Sequence, residues 1–186
     1  MHEPNMSLYM EHGHKYEELL VEPGHKAPDF RLEDENGQDV SLYDFLDDQS
    51  VVLVFIRAVD DSRTGQQIDY LKDSYQRIKY HCGDVLAVTW GSVEFNRKLV
   101  EAHKLPYHIL SDEDCAVLKK YQIYNDFDKL AGPNVFILNC AGLIAYMYNG
   151  RDPEDIVDMA DIIHVLHELM EAGGYQVYGG VAERND

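Results

Sequence analysis

Positive charge is scarce in this chain. It has 16 Lys and Arg residues against 34 Asp and Glu residues, a formal net charge of −18 in 186 residues. Nucleic acids and anionic membranes attract Lys and Arg, so this balance argues against both as partners. The sequence also lacks any apolar run near the roughly 18 residues that a membrane-spanning helix needs. We therefore expect a soluble protein with neither kind of partner.

Cysteine is scarce as well. Cys82, Cys115 and Cys140 are odd in number and widely spaced, unlike the cysteines of a disulfide framework. The first residues carry acids and histidines where a secretion signal would carry a basic region and an apolar core. Both features predict a reducing compartment, the cytoplasm.

The length favours one domain with a substantial core, and no repeat or low-complexity linker divides it. We predict a polar, His-rich arm over residues 1–22, a domain over 23–172 and a tail over 173–186. His12 and His14 in the arm could bind a metal weakly, but a metal site needs three or four converging ligands. A solvated segment is the preferred interpretation, so the sequence predicts no metal and no other cofactor.

The hydrophobic pattern predicts an α/β protein. Val51–Phe55 is a continuous, largely β-branched apolar run, typical of a strand buried on both faces. After Thr64, apolar residues recur at three- and four-residue steps, which predicts a long amphipathic helix. The other predicted elements, in chain order, are a hairpin over 30–42, a helical turn over 43–46, a strand over 84–90, a helix capped by Ser92, an edge-like strand over 105–110 containing Pro106, a helix over 111–121, a hairpin over 134–148 and a last helix starting at 152–154.

Five phrases occur in an order and spacing that resemble a known family. They are GHKAPDFRLEDENGQDVSLYDF, VVLVFIR, LPYHILSDEDCAVLKKYQI, GPNVFILNCAGLI and NGRDPEDI. From Gly24 to Leu169 the chain resembles the peroxiredoxin branch of the thioredoxin-like superfamily, the alkyl hydroperoxide reductase and thiol-specific antioxidant group. The resemblance implies a thioredoxin-like fold: a central mixed β-sheet flanked by α-helices, with an N-terminal β-hairpin. It also implies a cis-proline at Pro133, which faces the redox loop in that superfamily, and a homodimer.

The reactive motif of that family is absent. Peroxiredoxins carry Pro-x-x-x-Thr-x-x-Cys after the central strand, and without gaps these positions fall on Arg57, Asp61 and Thr64. The Cys-x-x-Cys pair of other relatives would fall on Asp61 and Thr64. Loss of the whole set favours a degenerate site that no longer performs redox chemistry.

The chemistry of that site depends on sulfur. A thiolate at a helix N-terminus is stabilised by backbone N–H groups and the helix dipole. A threonine hydroxyl stays protonated near neutral pH and forms neither a sulfenic acid nor a disulfide. Thr64 and Gln67 fit a capping box instead, a cap worth about 1 kcal/mol.

A relocated thiol is the open alternative. Cys82 is the first candidate, beside His81 after the long helix, and Cys140 in the predicted hairpin turn is the second. Cys115 follows three acids, a setting that raises the pKa of a thiol. The two hypotheses are therefore a non-catalytic module that binds or self-associates, and a thiol-dependent peroxidase with antioxidant activity.

Other charged groups lie at the mouth of the expected cleft. Arg57 could pair with Asp60 and Asp61 or bind a small anion, and we keep it as an anion-binding candidate. The two aspartates could hold a divalent cation, but no histidine lies near them in sequence. His164 and His167 lie three residues apart on the last predicted helix, where we expect a structural role.

Overall fold

The computed structural model describes residues 21–46, 49–58, 62–130, 132–152 and 154–173, without the side chain of Arg63. The predicted arm and tail therefore lie almost entirely outside the described residues.

Seven strands form one mixed sheet in the described part of the chain. The strands are β1 (Arg31–Glu33), β2 (Asp39–Ser41), β3 (Ser50–Phe55), β4 (Gly83–Thr89), β5 (His108–Ser111), β6 (Asn134–Leu138) and β7 (Ile144–Asn149). Their order across the sheet is β2-β1-β5-β4-β3-β6-β7. The helices are α1 (Leu42–Leu46), α2 (Ser62–Tyr80), α3 (Val93–His103), α4 (Ala116–Lys120) and α5 (Met159–Glu171).

Strand β3 lies at the centre, as its apolar sequence predicts. It pairs in parallel with β4 and antiparallel with β6, and all six of its residues are buried. Val52 and Val54 face one core with α2, α3 and α5, whereas Val51, Leu53 and Phe55 face a second core with α1 and α4. Both faces of the sheet are thus covered by helices. The parallel and antiparallel pairing of β3 confirms the predicted mixed sheet, and the pairing of β1 with β2 confirms the N-terminal hairpin.

Strand β5 corrects the prediction of an edge strand. It lies between β1 and β4 and pairs with both, although the β1 side has one paired position, Glu33 with Ser111. Pro106 precedes the strand and therefore removes no ladder hydrogen bond.

The last two helices begin later than predicted, because Asp112 caps α4 from a position ahead of the helix and Asp152 closes a separate turn ahead of α5. The Asp112 carboxylate accepts from the backbone N–H of Val117 and Leu118, and α4 begins only at residue 116. Asp152 accepts from the N–H groups of residues 154 and 155, which closes a turn well before α5. The actual N-cap of α5 is Asp158, whose carboxylate accepts from Ala160 N–H at 2.8 Å.

No helix within these described ranges is long and apolar enough to cross a membrane.

Candidate functional site

The chain leaves β3 at the edge of the sheet where the parallel strands end. Ile56 N–H donates to Val88 O at 2.9 Å and extends the pairing one residue past β3. Helix α2 then begins at Ser62. Asp61, one of the two expected redox positions, lies outside the described residues, as does Asp60. We call this the carboxyl edge of the sheet.

Thr64 lies at the position expected for a reactive cysteine and is 4% exposed. It is the third residue of α2, so it cannot be the residue that caps the helix. The predicted capping box of Thr64 and Gln67 is therefore wrong, because the helix begins two residues earlier than its apolar pattern indicates. A buried hydroxyl inside the first turn stands where the resemblance predicts a thiolate.

Arg57 follows β3 at the carboxyl edge and is half-buried. Its Nε atom is buried and has no hydrogen-bond partner among the residues that the structure describes. Phe55 pairs with Asn134 in the sheet, so Arg57 and Pro133 leave their strands at the same edge. Its predicted ion pair with Asp60 and Asp61 falls on residues that are not described and stays a prediction.

The Gly132–Pro133 peptide is trans, because the described chain contains no cis peptide bond. The prediction of a cis-proline at Pro133 is therefore wrong. Trans is the isomer that an X–Pro bond prefers, by about 0.5–1 kcal/mol. In this geometry Pro133 O accepts from Gly150 N–H at 2.8 Å, and Gly132 O accepts from Asn134 Nδ2 at 2.9 Å. Both buried carbonyls are satisfied without the cis isomer.

Two cysteines lie at the opposite end of the sheet. Cys82 follows α2, and its carbonyl accepts from Ser50 N–H at the start of β3. Cys140 follows β6, whose Leu138 pairs with Val51 near the same end. Helix α2 has 19 residues, about 28 Å of helix, between this end and the carboxyl edge. Neither relocated candidate therefore reaches the corner around Thr64.

Cys115 is the cysteine at the carboxyl edge. It follows β5, which runs parallel to β4 and ends there. The thiol is buried in the core against α1 and α4. Burial raises its pKa above the usual value, with Asp112 and Asp114 adding to the effect and Lys129 and Lys119 opposing it. The raised pKa confirms the sequence-based expectation, although burial is a larger cause than the acids.

The histidines of the last helix do not form a site together. His164 is exposed and lies 3.5 Å from Glu168. The His167 ring contacts the ring of His81, the residue directly after α2, at a centroid distance of 5.4 Å.

An exposed aromatic side chain at the carboxyl edge was not found by sequence reasoning. Phe127 is 97% exposed in the turn between α4 and β6. The Asn125 side chain accepts from the N–H groups of Phe127 and Asp128, which holds the turn closed. Lys129 lies over the Trp90 ring at 5.9 Å and connects the turn to the end of β4. The Asn-x-Phe-Asp sequence is a turn signal, but only the structure places the turn at the end of β4.

Known proteins share both the fold and the family of this chain. The fold is shared with a peroxidoxin, BcpB, from Mycobacterium tuberculosis, at a TM-score of 0.69 and 18% identity over 81% of this chain and 97% of that one. This likeness confirms the thioredoxin-like, peroxiredoxin-type fold. The AhpC/TSA family model matches residues 23–147, so the chain belongs to the AhpC/TSA family.

Sequence relatives agree with this assignment. The chloroplastic peroxiredoxin Q of Arabidopsis thaliana is 32% identical over 140 residues, which are 74% of this chain and 64% of that protein. The chloroplastic peroxiredoxin Q of Sedum lineare is 31% identical over 74% of this chain and 75% of its own length. The chain thus spans less than two thirds of the Arabidopsis protein, and the predicted peroxiredoxin resemblance is confirmed at the level of the family.

Proposed function

We propose that this peroxiredoxin-family chain is a non-catalytic module that binds a partner or self-associates. The observation that carries the proposal is Thr64, a buried hydroxyl in the first turn of α2. Peroxide reduction requires a thiolate sulfur to attack one peroxide oxygen, so that the O–O bond breaks and a sulfenic acid forms. The alcohol of a threonine stays protonated near neutral pH and has no sulfur to oxidise, so it cannot carry out this step.

The location of the cysteines supports the same conclusion. Cys82 and Cys140 lie at the far end of the sheet. Cys115 lies at the right edge, but it is buried and its pKa is raised, which disfavours the reactive thiolate.

Peroxide turnover tests the proposal. Purified full-length chain is mixed with hydrogen peroxide and dithiothreitol, and peroxide loss is compared with that of the Cys82→Ser, Cys115→Ser and Cys140→Ser variants. We expect all four proteins to match the rate without protein. Turnover that one serine variant abolishes would establish the alternative, a thiol-dependent peroxidase with a relocated cysteine.

We propose a second copy of this chain as the partner at the carboxyl edge. A fully exposed phenylalanine on a closed turn supplies rigid apolar contact area, and Phe127 is the most exposed large apolar side chain described. Two copies of charge −18 repel, so self-association should strengthen as salt screens them.

Sedimentation at low and moderate salt tests this partner. The Phe127→Ser variant should lose the dimer, whereas Tyr80→Ser, which removes an exposed aromatic 78% accessible at the other end of the sheet, should keep it. A chain that stays monomeric at every salt concentration, or a dimer unaffected by Phe127→Ser, would overturn the assignment. A reducing compartment such as the cytoplasm remains our prediction for its location.

We also propose that Arg57 contributes to anion binding at this edge. Its buried Nε has no partner in the described part of the chain, and an unsatisfied buried donor costs about 1–3 kcal/mol. Sulfate should raise the melting temperature of the wild type and not of Arg57→Met, whereas sulfate should still stabilise the Arg97→Met control. An equal sulfate-dependent rise in melting temperature in the wild type and Arg57→Met would show that Arg57 does not bind the anion.

A further inference from the structure

The loop of the N-terminal hairpin holds two buried carboxylates against one imidazole. Asp34 and Glu35 follow β1, and His108 is the first residue of β5. His108 Nδ1 lies 3.4 Å from Asp34 Oδ2 and 3.2 Å from Glu35 Oε1. Within the described ranges, these three residues form the one group of His, Cys, Asp or Glu side chains whose ligating atoms converge.

The two carboxylates carry charge that nearby cations do not balance. The Asp34 and Glu35 side chains are 4% and 9% exposed. Buried carboxylates require pairing with a cation. Among the described side chains, no Lys or Arg forms an ion pair with either carboxylate, and Arg97 Nε donates to the Glu35 backbone carbonyl instead. With a neutral imidazole, two negative charges are left beside His108.

The distances from the imidazole to the two carboxylates fit the spacing of metal ligands as well as that of an ion pair. Charge-assisted hydrogen bonds run about 2.7–2.9 Å, shorter than the 3.2 and 3.4 Å found here. Zinc bonds of about 2.0–2.2 Å to nitrogen and oxygen place tetrahedral ligand atoms roughly 3.4 Å apart. His108 Nδ1 therefore already lies at about that separation from one oxygen of each carboxylate, and all three donor atoms lie within 4.8 Å of one another.

Hydrogen bonds hold the two carboxylates in this arrangement. Asp34 Oδ1 accepts from the backbone N–H groups of Asn36 and Gln38, both at 2.8 Å, and Oδ2 is directed to the imidazole. Glu35 Oε1 accepts from Asn36 Nδ2 at 2.8 Å, and Oε2 accepts from Ile109 N–H at 3.3 Å. Such outer hydrogen bonds orient the ligands of metal sites. His108 is 45% exposed, which leaves an approach for an ion and space for water.

We propose that Asp34, Glu35 and His108 bind one zinc ion, with water as the fourth ligand. One imidazole nitrogen and two carboxylate oxygens form a donor set that suits zinc, and three protein ligands leave one open position. The ion clamps the hairpin to β5 across 73 residues of sequence. The site lies at the start of β5, away from the carboxyl edge, so it is independent of the function proposed for Thr64 and Arg57.

Zinc titration of the full chain tests the site. Protein stripped with a chelator is titrated with zinc chloride by calorimetry, and its melting temperature is measured with and without the ion. We expect one ion per chain in this site and a zinc-dependent rise in melting temperature. His108→Gln should weaken binding at least about tenfold and abolish the rise. Cobalt(II) in the wild type should give the absorption bands of a four-coordinate site, which His108→Gln should lose.

Two controls separate this site from the other histidines. His103→Gln removes an imidazole that pairs with Asp69 alone, and it should keep both zinc effects. The double variant His12→Gln and His14→Gln removes the His12–His14 pair of the arm and should also keep both zinc effects. If His108→Gln does not fold, Glu35→Gln, which preserves side-chain shape, replaces it. Absence of zinc binding in the wild type, or equal affinity in the ligand variants, would overturn the proposal.

Discussion

Two buried tyrosines differ in whether their hydroxyl is paired. The Tyr107 hydroxyl donates to Ile68 O at 3.0 Å. The Tyr146 hydroxyl is buried and has no hydrogen-bond partner in the described part of the chain. Burial, with Asp161 and Tyr148 adding to it, raises the pKa of Tyr146 to about 12. An unsatisfied buried hydroxyl destabilises the native state by about 1–3 kcal/mol.

Removing each hydroxyl should change stability in opposite directions. Tyr146→Phe should raise the free energy of unfolding by about 1 kcal/mol, because it removes an unpaired polar group. Tyr107→Phe should lower it by about 1 kcal/mol, because it leaves the Ile68 carbonyl unpaired. Urea unfolding of both variants measures the difference. A loss of stability in Tyr146→Phe equal to that in Tyr107→Phe would contradict this account.

The lowered pKa of His81 should make the stability of the fold depend on pH. Burial lowers its pKa below 6.5, with smaller contributions from His167 on α5 and Arg77 on α2. The folded state therefore favours the neutral ring, so its contribution to stability is present above pH 6.5 and is lost as the pH falls through the lowered pKa. Between pH 7.5 and 5, His81→Gln should lose less stability in urea than the wild type. His164→Gln, a control at an exposed position, should lose as much stability as the wild type. An equal loss of stability between pH 7.5 and 5 in all three proteins would show that His81 does not cause the pH dependence.

At the scale of the element, the start of α4 depends on one buried carboxylate. Asp112 accepts from Val117 N–H at 3.0 Å and from Leu118 N–H at 2.9 Å. Asp112→Ala leaves both donors unpaired and should lower the free energy of unfolding by about 1–3 kcal/mol. Asp114→Ala removes an exposed carboxylate that accepts from Ala116 N–H, and its loss should stay under about 1 kcal/mol. Similar urea midpoints for the two variants would show that the Asp112 bonds do not hold α4.

The strands and helices that the sequence predicts well have local signals, an apolar pattern or a capping side chain. The apolar run at Val51–Phe55 corresponds to a strand buried on both faces. Ser92 caps α3, since its hydroxyl accepts from Phe95 N–H at 3.2 Å. Helix starts were missed where an acid caps a turn instead of a helix. The sequence Asp-Pro-Glu at 152–154 has the composition of a helix start, yet the Asp152 side chain closes a turn. The N-cap of α5 is Asp158.

The candidate site was predictable only in part. Thr64 and Arg57 are located by spacing from β3, a local feature that sequence records. The depth of Thr64 in α2 was missed because residues 62 and 63 add to the helix without extending its apolar stripe. Partners far apart in sequence, such as Glu35 and His108, meet only through the pairing of β1 with β5.

At the scale of the whole molecule, the chain has the fold of the AhpC/TSA family, and we propose that it lacks the reactive thiol. The sheet still brings the end of β3, the start of β6 and the first turn of α2 to one edge. The three thiols lie elsewhere or are buried. The fold therefore does not by itself fix what this chain does.

Oxidation of the reduced chain by hydrogen peroxide tests the central claim most directly. Full-length protein is mixed with peroxide without a reductant, and intact mass follows the addition of oxygen to each thiol over time. We predict that Cys82, Cys115 and Cys140 react no faster than free cysteine. A cysteine that forms sulfenic acid orders of magnitude faster, with the rate lost in its serine variant, would contradict the account.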